Sequence, residues 1–401
     1  AYNMITKIGR VPVIYWPYVV WDTDGEEGGN LQIRPGYDSD WGAFVLLARR
    51  WQLQDKGETE VRVDLRSKRG IAVGNRTDYR TENTETNFLF YGMHDLEPPE
   101  TTDDYNRRFD SEDNRYRFKA YHRHQLGQDL SLRLNLDAMS DIDMFEEWFE
   151  DGFEDYRQPK TFLDLRLDRE RYTLSLSLRP RVNDFYSVVE RMPELKAEFP
   201  RQPIPKTPLY YEGETSLAHL EMKWRDFDLA RGPGLADPAD YEAWRLDSLH
   251  MFYLPFTLKN AWQITPRAGF RLTYYDKTSQ TPVTTGNLIQ LFQVDDPDLI
   301  SPGGSITNYD DNGGSELRLT GEAGVELSTK YYRVWDDAKS DFWQVDGLRH
   351  VVQPYVNYVF IFDPTEDREN LYYFDAIDRI TKQNFVRIGV NQRLQTRMPK
   401  G

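Results

Sequence analysis

Strict two-residue alternation of polar and apolar side chains recurs along this chain and constrains its fold more than any other feature. In residues 60–66, Val61, Val63 and Leu65 oppose Arg62, Asp64 and Arg66. In residues 130–136 four leucines oppose Ser131, Arg133 and Asn135. Residues 162–168 and 172–178 repeat the pattern as a hairpin around a turn at 168–171: leucines oppose Asp164, Arg166 and Asp168 in the first arm, and Thr173, Ser175 and Ser177 in the second. Successive side chains of a strand point to opposite faces, so each segment reads as a strand with one wet and one apolar face. Extending the same reading predicts about 16 antiparallel strands, too many for a sandwich and in the range of a membrane barrel. No fixed repeat points to a propeller or solenoid.

Alternation alone does not say which face meets water, because a sandwich buries its apolar face and a barrel shows it to lipid. Aromatic residues decide in favour of the barrel. They make up 14% of the chain, with 25 Tyr and 10 Trp. Pairs such as Tyr210–Tyr211, Tyr274–Tyr275 and Tyr331–Tyr332 flank candidate strands, as interfacial girdles do. Arg62, Asp64, Arg133, Asn135, Asp164, Arg166, Ser175 and Ser177 are then the expected lumen-facing side chains. The negative mean hydropathy does not oppose this, since a strand with one wet face defeats an averaged scale.

The stretch 9–21, GRVPVIYWPYVVW, carries two prolines among β-branched and aromatic residues. Proline removes a ladder donor and belongs at strand edges, starts or bulges. This stretch reads as an interrupted edge strand at which one folded unit ends and another begins. The residues of note here are Pro12, Tyr15, Pro17, Tyr18 and, further on, Pro35. Long polar stretches at 94–114, 225–242 and 277–314 read as loops, and 200–208 as a proline-rich connection. Residues 140–156 read as a short acidic helix with Ser140 as N-cap and Met144, Phe145, Trp148 and Phe149 on one side. Its acids could bind a basic partner, although packing of the aromatic side on the wall is the simpler reading.

Fifty basic and 66 acidic residues give a formal charge of −16, which excludes a phosphate-backbone binder needing a clustered basic surface. No cysteine is present, so disulfides and thiolate metal sites are excluded. His122 and His124 share a strand face but have no third ligand in sequence. The acidic clusters at 22–26 and 310–312 lack calcium-loop spacing and read as solvated turns. No nucleophile elbow or phosphate loop occurs, and no carboxylate pair stands out as acid and base. We expect no catalytic residue, metal or cofactor.

Several separated stretches together resemble the LptD family of LPS-assembly outer-membrane proteins, also called organic-solvent-tolerance proteins. VPVIYWPY at 11–18 resembles the family's PVFY-x-PY signature. Residues 191–211 resemble its R-x-P segment leading to a PLYY-type strand start, and 244–275, with Arg245–Leu246–Asp247, its RLD-to-TxY double strand. HVVQPYVNY at 350–358 and FDAIDRITKQN at 374–384 match two further elements, and Ser140–Asp141 fits a recurrent feature before a helix. The resemblance implies an antiparallel transmembrane β-barrel of the large LptD type in a Gram-negative outer membrane. It implies insertion of lipopolysaccharide into the outer leaflet through a lumen and a lateral seam, with Pro12, Tyr15, Pro17, Tyr18 and Pro35 as candidate junction and seam residues and with Pro17 and Pro35 expected to loosen the pairing of the first barrel strand with the last. Implied partners are lipopolysaccharide, an LptE-like plug lipoprotein, a periplasmic LptA-like bridge, the barrel-assembly machinery and outer-membrane lipids, with no nucleic acid. Residues 1–20 would end a periplasmic β-jellyroll and 21–401 would form an incomplete barrel lacking C-terminal strands. The alternatives are a general porin and a soluble carbohydrate-binding β-protein.

Overall fold

The computed structural model describes residues 2–8, 11–18, 31–98, 100–102, 108–110, 113–141, 143–149, 158–224, 240–279, 283–285, 306–308, 313–340, 342 and 344–397. The turn expected at 21–30, the acidic clusters at 22–26 and 310–312, and the helix beyond residue 149 lie outside them. The strands are β1 (Tyr2–Ile8), β2 (Val11–Tyr18), β3 (Leu31–Asp38), β4 (Gly42–Gln52), β5 (Gly57–Arg66), β6 (Gly70–Arg80), β7 (Thr84–His94), β8 (Glu100–Thr102), β9 (Arg108–Asp110), β10 (Asn114–Gln125), β11 (Leu130–Met139), β12 (Phe162–Asp168), β13 (Thr173–Arg179) and β14 (Val188–Pro203). They continue with β15 (Tyr210–Lys223), β16 (Tyr241–Tyr253), β17 (Phe256–Leu258), β18 (Trp262–Tyr275), β19 (Val283–Thr285), β20 (Ile306–Asn308), β21 (Glu316–Thr329), β22 (Tyr331–Ser340), β23 (Val345–Ile361) and β24 (Gln383–Thr396). One α-helix, α1 (Asp143–Trp148), joins them.

Eighteen of these strands belong to one antiparallel sheet. The chain divides into two compact units, the first comprising 1–165, 179–186 and 225–236 and the second the remainder. In the first, β3, β4, β5, β6, β7, β10 and β11 pair in that order. In the second, the order is β14, β15, β16, β18, β21, β23 and β24. Three short ladders stand outside the sheet: β1–β2, β8–β9 and β19–β20.

The eighteen strands correct the count of about sixteen, and two interruptions account for the difference. β17 continues β16 along β18 in the same register, broken at Leu254 and Pro255. A turn at Lys259 and Asn260, both at positive φ, then reverses the chain into β18, so residues 256–275 are two strands. β22 likewise continues β21 along β23, broken at Lys330 beside the position of Pro354, where proline supplies no ladder donor. The stretch 200–208 is also less loop-like than expected. β14 runs to Pro203, with register shifts between Arg191 and Glu194 and between Phe199 and Gln202; Pro193 and Pro200 sit in these bulges, where the missing donor costs no regular bond.

Polarity is inverted relative to a soluble sheet. Along β16, Arg245 and Asp247 are 2% and 0% exposed while Leu246 between them is 43% exposed. Along β21, Leu317 is 60% exposed and Arg318 2%. In the first unit Asp64, Arg66, Arg115, Arg117 and Asp137 are buried, whereas Val61, Leu65, Ile71 and Val73 are exposed. A water-facing sheet would not leave rows of leucine, valine and aromatic residues open over so wide a surface. Lipid contact explains them. Placing a charge on this surface, as in Leu246→Arg, is expected to destabilise the folded protein in bilayers by about 2–4 kcal/mol if the site lies near the midplane. Urea titration in lipid vesicles measures it, with Leu246→Phe near neutral.

Candidate functional site

In the first unit α1 lies on the charged face. Its first turn carries Asp143 and Glu146, which favour a helix N-terminus. Met144 and Phe145 are buried, and Trp148 and Phe149 pack on Ala72, Tyr91 and Met93. The cap is Asp141, whose Oδ1 accepts the Met144 N–H at 2.8 Å. Ser140 instead donates to Asp141 and accepts the Tyr116 N–H, which corrects the expected Ser140 cap. The acidic helix does meet a basic partner, and it is the chain's own wall.

Arg115 is fully buried and donates to both Asp141 oxygens at 3.1 and 2.8 Å, to Asp95 at 3.1 Å and to Glu147 at 2.6 Å. Arg69 binds Asp95 through two nitrogens at 2.8 and 2.6 Å, and also donates to Glu147. Burial opposes the charge on Asp95, but the Arg69 and Arg115 hydrogen bonds win and lower its pKa below the usual carboxylate value. Deeper along the face, Asp64 accepts from Arg66 at 2.9 Å and from Tyr91 at 2.8 Å, and Arg117 grips Asp137 at 3.0 and 2.7 Å. The Arg66 guanidinium lies over the Trp41 and Trp148 rings, 4.6 and 4.5 Å from their centroids, and Arg117 over Phe145 and Phe149. Beneath the helix is a cavity of about 870 Å³ bordered by Arg62, Arg117, Lys119, Tyr121, Glu147 and Trp148 among others.

In the second unit a strap, residues 371–380, covers the charged face. Tyr241 stacks on Tyr372 at 5.1 Å and donates to the Tyr373 carbonyl. Arg245 reaches Asp375 at 2.9 and 2.7 Å and Asp378 at 2.8 Å, and Arg191 reaches Asp375 at 2.8 Å. Tyr275 donates to Asp378 at 2.7 Å, and Arg318 donates to the Ile377, Asp378 and Ile380 carbonyls. Asp378 Oδ2 in turn accepts the Phe374 and Asp375 N–H groups, fixing the strap's own turn. Burial opposes ionisation of Asp375, yet the Arg245 bond and the two arginine charges lower its pKa to about 2. A depressed carboxylate contributes stability that is complete above its ordinary pKa and is lost as pH falls through the depressed value. The strap should therefore hold at pH 5 and loosen as pH falls from about 4 towards 2. Hydrogen exchange of residues 371–380 against pH reads this out, and unchanged protection down to pH 2 would contradict it.

The structure brings some of the sequence-predicted lumen residues together. Arg62 pairs with Asp64 at 3.2 Å, and Arg133 with Asp164 at 3.2 Å. Arg62 and Asn135 border the cavity, and Asn135 also donates to the Lys160 carbonyl. Arg166 binds Asp168 at 2.8 Å, Ser177 is buried and Ser175 half-buried. Pro35 stands in β3 opposite Val45. Pro12, Tyr15, Pro17 and Tyr18 lie in β2, where Pro12, Tyr15 and Tyr18 pair with Lys7, Ile5 and Tyr2 and a register shift falls beside Pro12. His122 and His124 bond to Thr86 and Thr84 of the neighbouring strand. Sequence reasoning missed the clamps formed by Arg115 and Arg245. Their pieces were visible as Ser140–Asp141, RLD at 245–247 and FDAIDR at 374–379, but not that one motif binds another.

A wide antiparallel sheet with charge on its buried face and apolar side chains on its open face defines an outer-membrane β-barrel protein. A family model described as LptD, LPS transport system D, matches residues 113–400. The chain belongs to the LptD family. Over 149 residues it is 27% identical to the LPS-assembly protein LptD of Nitrosospira multiformis, a match covering 37% of this chain and 15% of that relative. Among solved structures, Pseudomonas aeruginosa OprD is 10% identical with a TM-score of 0.30, covering 88% of this chain and 90% of that one. The outer membrane protein OmpT of Vibrio cholerae is 9% identical with a TM-score of 0.26, covering 94% and 100%.

Proposed function

We propose that this chain is wall of an outer-membrane translocon that inserts lipopolysaccharide into the outer leaflet of a Gram-negative cell. The observation that carries the proposal is the charged, hydrogen-bonding buried face backed by an apolar open face, in a chain of the LptD family. Sugars and phosphates would move along the charged face while acyl chains pass into lipid at a weakly paired seam. No bond is made or broken, so the work is guided transfer. Residues 1–20 would form the junction with a periplasmic jellyroll and 21–401 the barrel wall. Arg62, Asp64, Arg133, Asn135, Asp164, Arg166, Ser175 and Ser177 would face the lumen.

Proline along a strand thins the ladder at that edge. On this reading Pro17 and Pro35 lie at or beside the first barrel strand and loosen its pairing with the last, while Pro12, Tyr15 and Tyr18 belong to the junction. An LptE-like lipoprotein would plug the lumen, an LptA-like bridge would deliver the cargo, and the barrel-assembly machinery would insert the chain. Photocrosslinking from Arg62, Asn135 and Pro35 positions in intact cells should capture lipopolysaccharide. Absence of adducts at all three would count against transport. A general porin would instead give steady conductance in a planar bilayer without any plug.

A further inference from the structure

On the open face of the first unit the apolar surface ends in a belt of uncharged polar side chains. Side chains two apart share a face of a strand, so Thr59 lies on the face of the exposed Val61, and Thr77 on that of the exposed Ile71 and Val73. The ladders carry the row across the sheet: Thr59 stands opposite Thr77, Tyr79 opposite Thr86, Thr86 opposite His122, and His122 and His124 opposite Leu134 and Leu132. The Thr59 and Thr77 hydroxyls meet at 2.7 Å. Among the described residues no carboxylate stands in this row. It lies at the end of the strands where the connections are short, 81–83 and 126–129, the periplasmic side of an outer-membrane barrel.

Within the belt His122 and His124 are built as a pair. A threonine hydroxyl of β7 holds each Nδ1, Thr86 at 2.9 Å and Thr84 at 2.8 Å. Both rings are thereby turned the same way, 11° from parallel with centroids 6.1 Å apart. In that arrangement they do not share one metal ion, whose bonds to imidazole are about 2.1 Å. It suits a wider ligand: each ring can give a hydrogen bond of about 2.9 Å to a different oxygen of one phosphate. When the threonine hydroxyls donate to Nδ1, the ring proton stands on Nε2, and neither Nε2 has a hydrogen-bond partner among the described residues. Next along the same face is Ala120, opposite Phe88 on one side and Leu136 on the other. Phe88 meets Phe118 edge-on at 5.3 Å. The small residue between larger neighbours leaves a shallow trough leading from the histidines into the apolar surface.

We propose that His122 and His124 clamp the phosphate of a glycerophospholipid in the periplasmic leaflet, with one acyl chain laid in the trough over Ala120. The two imidazole donors select the phosphate, since hydrogen bonds to an ionised acceptor are the stronger kind. The trough selects a lipid over free phosphate. Thr84 and Thr86 are positioning residues, which fix the tautomer and direction of the rings. The site lies on the opposite face of the sheet from the arginine clamps, so it depends on the outer-membrane setting and not on the transport reading.

The test uses the full chain refolded in detergent, with dioleoyl phosphatidylethanolamine and dioleoylglycerol as probes and native mass spectrometry to count retained lipid. The phospholipid should be retained one to one, at a concentration about tenfold lower than the phosphate-free lipid needs. His122→Leu combined with His124→Leu should abolish that preference, and Thr84→Val combined with Thr86→Val should weaken phospholipid retention about threefold. Circular dichroism confirms that each variant is folded; for one that is not, Ala120→Leu replaces it and should weaken both lipids by filling the trough. Millimolar inorganic phosphate should leave the adduct in place. Equal retention of the two lipids, or an unchanged preference in the histidine double variant, would overturn the proposal. Displacement of the lipid by inorganic phosphate would assign the pair to free phosphate and overturn it as well.

Discussion

Replacing Arg245 with leucine is expected to release the strap and to cost about 3–5 kcal/mol, the scale of stranding a buried charge by deleting its partner. Arg245 is the shared donor to Asp375 and Asp378, so its loss leaves two carboxylates facing each other against Tyr275. Arg191 still reaches Asp375, but no other arginine side chain bonds to the Asp378 carboxylate among the described residues. Limited proteolysis should then cut within 371–380, where the unaltered chain resists. Combining Arg245→Leu with Asp375→Asn and Asp378→Asn should recover much of the loss, because it removes the carboxylates left without Arg245 while Arg191 keeps Glu194. An intact strap in the single variant would show that the aromatic contacts of Tyr372 and Phe374 suffice.

Arg115→Met is expected to have an effect of similar size, about 3–5 kcal/mol, in the first unit. Arg115 holds Asp95, Asp141 and Glu147 together, and Asp141 is also the cap of α1. Loss of the arginine therefore removes the anchor of the helix as well as a counter-charge. Asp141→Ala removes the capping bond and two of the hydrogen bonds of Arg115, which keeps Asp95 and Glu147, so it should cost less than Arg115→Met and the two variants should not add. The unfolding transition in urea, followed by Trp148 fluorescence, measures both. Helix release without global unfolding would appear as a separate early transition.

The two-residue alternation makes the strands legible because each face has one kind of neighbour, and period two survives any change in the identity of that neighbour. It carries no record of which strands break. The break at Pro255 shows in the sequence as a residue with no ladder donor, whereas the break at Lys330 does not, because the proline beside it, Pro354, stands on the partner strand. The exposed leucines on β16 and β21 make the direction of the inversion plain, whereas in sequence it rested on aromatic pairs at strand ends. The clamps are illegible for a different reason. Arg245 and Asp375 are 130 positions apart, and nothing in a single sequence says which of many arginines finds which of many acids. The Ser140 cap failed narrowly: Asp141 offers a charged carboxylate one residue nearer the helix, and the serine hydroxyl was already committed to Tyr116 and Asp141.

The strap also sets an order of events during folding. Its contacts reach back 130 positions to Arg245 and 184 to Arg191, and closing loops of that length is slow compared with zipping neighbouring strands. Strands β14 to β18 can therefore align while Arg245 still lacks the strap's carboxylates. Until residues 371–380 dock, Arg245 lacks both of its carboxylate partners and Arg191 keeps only Glu194. Completion of this part of the molecule is thereby marked by a change in local charge as well as by shape.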